Sequence, residues 1–326
     1  MTAAGAPYGA ELTVEVGGRS LAVSSLDRPV WPPLGWTKGE LIDYYVRIAP
    51  VLLPHLTGRP LILHRYPAGV GGPHFYQVRA AGAPPWLRTV AVPDGERGSY
   101  PAPVVDDIAG LAWAGNLMAV ELHPGLACAD TPDAPTMVVC NLDPMAPAGL
   151  LEAADAALLV RAALEDAGLA SYVKTSGVRG LHVVVPLAPG QSYDAVRAFT
   201  HELAEVLAAR HPERFVASAE SWRRRKGRVV LDWEENVAGA SLVAPYSLRG
   251  LVTPTVSTPV TWDEVAEAVY RADVRALLFS PEAVLERVER LPRLFAEVQQ
   301  EGCTLPGRPA RQRAWGRGKA EGKTSR

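Results

Sequence analysis

MVVCNLDPMAPAGLLEAADAALLVRAALEDAGLASYVKTSGVRGLHVVVPL, residues 137–187, decides the fold. Residues 137–139 are a short apolar strand that runs into Asn141-Leu142-Asp143. Residues 150–168 form an Ala/Leu-rich helix closed by Gly168, a residue type that ends helices without steric cost. Residues 171–187 are strand-like again but interrupted by Gly177 and Gly180. Strand, helix, strand, followed by a further helix over 193–210, predicts α/β layers.

Working outward, residues 11–23 alternate apolar and polar about Gly17-Gly18 and predict a β-hairpin. Thr37 and Glu40 form a capping pattern for a helix from Lys38 to about Pro54, with Leu41, Ile42, Tyr45 and Ile48 on one stripe. RPLILHRYP (59–67) reads as a strand, and a Gly-rich connection leads on to His74-Phe75-Tyr76. Residues 106–117 are helical and precede ELHPG (121–125). Residues 228–233 form another strand, and 262–278 and 281–295 two shorter helices. The expected organisation is a flexible segment 1–10, one domain over 11–298, and a basic disordered tail 299–326.

The chain has 326 residues, 48% hydrophobic and 21% charged, enough for a substantial core. It shows no signal-peptide pattern and no apolar run long enough to span a bilayer, which predicts a cytoplasmic, membrane-free protein. Cys128, Cys140 and Cys303 make neither a disulfide framework nor a zinc pattern; Cys128 and Cys140 read as small buried apolar residues. The net charge of −2 conceals positive clusters at 222–228 (WRRRKGR) and 308–326, which suggest a track for a polyanion or simply a solvated face.

On a strand, residues two apart share a face, so Asn141 and Asp143 project together. Asp232 ends a second strand. Hard oxygen ligands of this kind suit Mg²⁺ together with phosphate oxygens. Between those strands lies KTSGVRGLH (174–182), where glycines allow close backbone approach and Ser176, Arg179 and His182 supply donors. It lacks the GKS/T ending of a Walker loop. The aromatic pair Phe75 and Tyr76 reads as core or as a stacking platform.

Seven ordered segments, WTKGELIDYY (36–45), GPHFYQ (72–77), ELHP (121–124), NLDP (141–144), KTSGVRGLHVVVPL (174–187), LDW (231–233) and APYSLRG (244–250), resemble the polymerase domain of bacterial ligase D, in the archaeo-eukaryotic primase superfamily. The resemblance covers roughly residues 11 to 295 and implies a primase-like catalytic core of mixed and antiparallel sheets flanked by helices. It implies a DNA-dependent nucleotidyltransferase that fills gaps or extends ends in double-strand break repair by non-homologous end joining. It makes Asp143, Asp232 and Asn141 ligands of a two-metal site for Mg²⁺ or Mn²⁺. Ser176, Arg179, His182, His123 and Arg249 become contacts of the incoming NTP or dNTP. Arg28 and Lys38 match a pocket for a 5′ phosphate, and Phe75 and Tyr76 a template-stacking pair. Partners implied are gapped or broken DNA, Ku and a separate DNA ligase, for a nucleoid-associated monomer.

One position departs from the family: its Asp-x-Asp metal motif begins here with Asn141. The amide keeps a carbonyl oxygen but loses the charge that draws two cations together. Two readings follow, a weakened polymerase favouring Mn²⁺, and a non-catalytic module of the same fold that binds DNA ends or nucleotide. Glu234 and Glu235 read as solvated turn residues rather than replacements for the missing charge.

Overall fold

The computed structural model describes residues 11–217, 226–300, 302–307, 311, 314 and 315. Most of both basic clusters, residues 222–225 and nearly all of 308–326, lies outside the described residues. The chain divides into two compact units: Met1–Asp130 with Ser241–Thr258 and Phe279–Arg293, and Thr131–Ala240 with Pro259–Leu278 and Leu294–Arg326.

In the first unit the hairpin Leu12–Val16/Arg19–Val23 forms as expected, paired from Leu12↔Val23 to Val16↔Arg19. The helix Lys38–Leu56 starts at the Thr37/Glu40 capping box and runs two residues past its expected end, carrying Pro50 and Pro54. Of its expected stripe, Leu41, Tyr45 and Ile48 are fully buried and Ile42 partly so, and Leu52 continues the buried face. It packs against the helix Ile108–Asn116, capped by Asp107. Tyr44 and Tyr45 place their hydroxyls in this core without an energetic penalty because each donates to a backbone carbonyl, Tyr246 at 2.8 Å and Val120 at 2.6 Å. A three-stranded sheet sets Leu61–Arg65 between Phe75–Gln77 and Ala119–Pro124, both antiparallel.

The second unit is built on a six-stranded sheet in the order Phe215–Ala217, Val229–Asp232, Met137–Pro144, Leu181–Pro186, Tyr172–Thr175, Pro259–Val260. Every adjacent pair is antiparallel except the first, Phe215–Ala217 with Val229–Asp232. The apolar start at Met137 continues as strand through Asn141-Leu142-Asp143 to Pro144, and the glycine-broken stretch becomes a hairpin closed by residues 176–180. The helices Leu150–Asp166 and Tyr193–Arg210 contact the sheet and each other, and Trp262–Arg271 packs on the former. The alternation of strands and helices read from sequence therefore yields a mainly antiparallel sheet with helices against it.

Past residue 299, Cys303 pairs with Leu187, and buried Trp315 donates its indole N–H to the Ala163 carbonyl at 2.9 Å. The stretch expected to be disordered is packed at these described positions. Cys140 is buried as expected, whereas Cys128 is only partly covered, because it sits in the connection after the strand Ala119–Pro124 rather than within a strand. Among the described residues no helix is long and apolar enough to cross a membrane.

Candidate active site

The register of the second unit's sheet sets the site. Asn141 stands opposite Asp232 on one neighbouring strand and opposite His182 on the other, and His182 stands opposite Lys174. Directly opposed residues in antiparallel strands share a face, so Asp232, Asn141, His182 and Lys174 make one row across four strands. Leu142, opposite both Leu181 and Leu231, begins the alternate row, and all three leucines are fully buried. Within the polar row, Lys174 Nζ and His182 Nδ1 lie 2.7 Å apart, with both residues buried.

Asp143, two residues beyond Asn141, accepts a hydrogen bond from Asn141 Nδ2 at 3.2 Å. Partial burial and the charge of Asp232 raise the Asp143 pKa, while the Asn141 hydrogen bond and Arg179 pull the other way. Asp232 is oriented by the Glu234 backbone N–H, which donates to its Oδ1 at 2.9 Å.

The loop 176–180 is folded by Ser176, whose hydroxyl accepts from the N–H groups of Val178 (3.2 Å) and Gly180 (3.1 Å) while its own N–H bonds the Gly180 carbonyl. Gly177 has φ +77°, in the left-handed region. A Cβ on Gly180 would lie 2.4 Å from the Leu142 carbonyl oxygen and 3.4 Å from Asp143 Oδ1. Only glycine lets this loop approach the carboxylate strand so closely. Arg179 is exposed at its tip, and Ser176 and His182 are buried at its base.

The surprise is Glu235. The strand ends at Asp232, and the following turn carries Glu234 outward and Glu235 inward, so that Asn141 Nδ2 donates to Glu235 Oε2 at 3.1 Å. Asn236 fixes this turn: its amide accepts from the Val139 N–H at 3.0 Å and donates to the Val139 carbonyl at 2.8 Å, fully buried. Burial, then the charges of Asp232 and Asp143, push the Glu235 pKa up to about 7 against the opposing Asn141 hydrogen bond. The solvated-turn reading holds for Glu234 and fails for Glu235, because strand alternation says nothing about a side chain beyond the strand's end.

A second group of predicted residues gathers in the first unit around Glu121, which sequence reasoning did not single out. Glu121 Oε2 lies 3.1 Å from His123 Nε2, 3.3 Å from Arg249 Nε and 3.5 Å from His64 Nδ1, while Oε1 accepts from the Gly250 N–H at 2.9 Å and the Tyr66 hydroxyl at 3.3 Å. Burial opposes its charge, but hydrogen bonds from His123 and His64, with the charge of Arg249, outweigh it and hold the carboxyl well below its usual range. His123 is pushed down by burial in spite of Glu121. The ligand atoms of His64, Glu121 and His123 lie within 4.8 Å of one another. Arg249 already supplies that carboxylate with positive charge, which favours a hydrogen-bonded hub over a cation site. Glu121 was detectable in principle, being two residues from His123 on one strand; its pairing opposite His64 was not.

Tyr76 stacks on His64 at 4.0 Å between ring centroids, and the Arg65 guanidinium covers Phe75 at 5.3 Å. The two rings are 58% and 47% exposed, which rules out the core reading. Lys38 is buried; its ammonium donates to Asn116 Oδ1 at 2.8 Å, its N–H bonds the Arg28 carbonyl, and burial and Arg28 lower its pKa against Asp27.

A sequence profile described as "LigD, primase-polymerase domain" matches residues 37–295. The multifunctional non-homologous end joining protein LigD of Mycolicibacterium smegmatis is 35% identical over 278 residues, 84% of this chain and 35% of that protein. The bifunctional LigD of Bacillus subtilis is 29% identical over 83% of this chain and 43% of its own length. The chain thus spans about a third to under half of these relatives. The polymerase domain of Mycobacterium tuberculosis ligase D, solved in complex with DNA, superposes with a TM-score of 0.76 at 32% identity, covering 85% of this chain and 98% of that one. Because the matched span takes in every candidate residue except Arg28, the chain belongs to the LigD primase-polymerase domain family.

Proposed function

We propose that the protein is a DNA-dependent nucleotidyltransferase that adds nucleotides at gaps or ends during non-homologous end joining. The observation that carries this reading is the row Asp232–Asn141–His182, with Asp143 beside it and the donor loop 176–180 against the same strand. The family implies divalent cations, and the residues fit them: the charge of Asp232 raises the cost of ionising Asp143, and the buried Asn141 Oδ1 has no hydrogen-bond partner. Asp143, Asp232 and the Asn141 carbonyl would hold Mg²⁺ or Mn²⁺, which supplies neutralisation of the triphosphate and activation of the primer hydroxyl.

This chain's own groups do the rest. Arg179 and Ser176 grip and orient the triphosphate, and His182, tied to Lys174, presents its other ring nitrogen to the same ligand. In the first unit, Glu121 holds His123 and Arg249 in fixed orientation for the nucleotide, while Tyr76 and Phe75 offer stacking faces to bases. Arg28 and Lys38 receive a 5′ phosphate. The family match running through both units supports treating residues 11–298 as one working module, with the basic stretch beyond it as a DNA track. Ku and a separate ligase are the proposed partners, at the nucleoid and with the protein as a monomer.

The amide at 141 favours one second reading, a module that binds ends and nucleotide without catalysis. Primer extension on a gapped, 5′-phosphorylated duplex with NTPs or dNTPs decides. Extension abolished by Asp143→Ala supports the polymerase. DNA and nucleotide binding without extension in either Mg²⁺ or Mn²⁺ leaves the binding module.

A further inference from the structure

We infer that Glu235 is a metal-binding residue of this site, supplying from the turn after Asp232 the carboxylate that Asn141 lacks. The inference rests on the polymerase reading above and adds a ligand to it. One amide group, Asn141 Nδ2, has a carboxylate oxygen of Asp143 at 3.2 Å and one of Glu235 at 3.1 Å. A point held between two carboxylates by a hydrogen-bond donor is a point where positive charge is stabilised. A half-turn of the amide about χ2 exchanges Nδ2 with Oδ1, turning a donor aimed at that point into an oxygen ligand. That Oδ1 belongs to a residue 6% exposed and has no hydrogen-bond partner. Orphaned buried oxygens are costly, and coordination to a cation would satisfy it.

Nor is the position of Glu235 an accident of a loose turn. Asn236 clamps the turn to the backbone of Val139, two residues before Asn141 on the same strand, through two hydrogen bonds. Asp232 is held in the same turn by the Glu234 N–H and stands opposite Asn141 in register. Asp143 and Glu235 therefore both meet Asn141 Nδ2, and Asp232 stands opposite Asn141 in register. Three carboxylates and one carbonyl oxygen match the hard-oxygen ligation of Mg²⁺ and Mn²⁺.

Titration of the intact chain with Mn²⁺, read from the electron paramagnetic resonance signal of the free ion, tests the assignment without reference to catalysis. Glu235→Gln preserves shape and should weaken Mn²⁺ binding about tenfold or more, the scale of altering a metal's immediate surroundings. Asp143→Asn should weaken it comparably. Asn141→Asp/Glu235→Gln, which moves the charge to the neighbouring strand, should recover most of the loss, and it keeps the test decisive if the single variant folds poorly. Wild-type affinity in Glu235→Gln with loss in Asp143→Asn overturns the role of Glu235 and leaves the polymerase reading intact. Unchanged affinity in all three variants overturns both.

Discussion

At the scale of single residues, the site is a contest between burial and charge. Glu235 is an acid whose folded pKa, about 7, exceeds the ordinary value near 4.3 for glutamate. A carboxyl shifted upward favours folding while protonated, so its contribution is fully present below the ordinary value and is lost as pH rises to about 7. Chelator-treated protein should therefore lose thermal stability from about pH 4.3 to about pH 7, and Glu235→Gln should flatten that fall. Parallel melting curves for the two proteins would remove Glu235 as its source. Glu121 has the opposite sign: its depressed pKa makes it stabilising above the ordinary range and acid-labile below it. Sequence made Asn141, Asp143 and Asp232 legible because period-two alternation and strand ends mark them. It left Glu235 and Glu121 unread because their roles arise from a turn and from pairing with distant strands.

At the scale of elements, the hairpin Tyr172–Thr175/Leu181–Pro186 delivers the donor loop, and its geometry depends on one missing methyl group. Gly180→Ala would push a Cβ to 2.4 Å from the Leu142 carbonyl oxygen, a backbone atom that cannot step aside. The loop must move instead, carrying Ser176 and Arg179 with it. We expect a stability cost of about 1–3 kcal/mol and a larger proportional loss of nucleoside triphosphate binding than of DNA binding, measured with a fluorescent nucleotide and a labelled duplex. Equal losses would place the loop on the DNA path. The elements were well marked in the sequence where their signals are local: the Thr37/Glu40 box, the Gly17-Gly18 turn and the helix Tyr193–Arg210 all form where the residues predict. Strand direction and sheet order were not marked, since a run of valines is equally at home in either orientation.

At the scale of the whole molecule, two compact units each hold part of the candidate residues. Arg28 and Lys38 in the first unit predict that removing the 5′ phosphate from a gapped duplex weakens binding several-fold at moderate salt, with a reduced salt slope because fewer counterions are released. A fluorescence anisotropy titration at several salt concentrations checks this, and identical affinities with and without the phosphate would reject the assignment. The row across the second unit's sheet also fixes an order of events during synthesis. Its local members, Lys174 and His182, meet as soon as one hairpin closes, whereas Asn141 and Asp232 meet only when a long intervening loop is drawn in. A chain emerging from its N-terminal side at about 5–20 residues per second folds its early segments first, so the negative charges stay apart until the strand Val229–Asp232 has left the ribosome. In every shorter nascent chain the row is thus incomplete, and the meeting of Asn141 with Asp232 marks that this part of the polypeptide has been made.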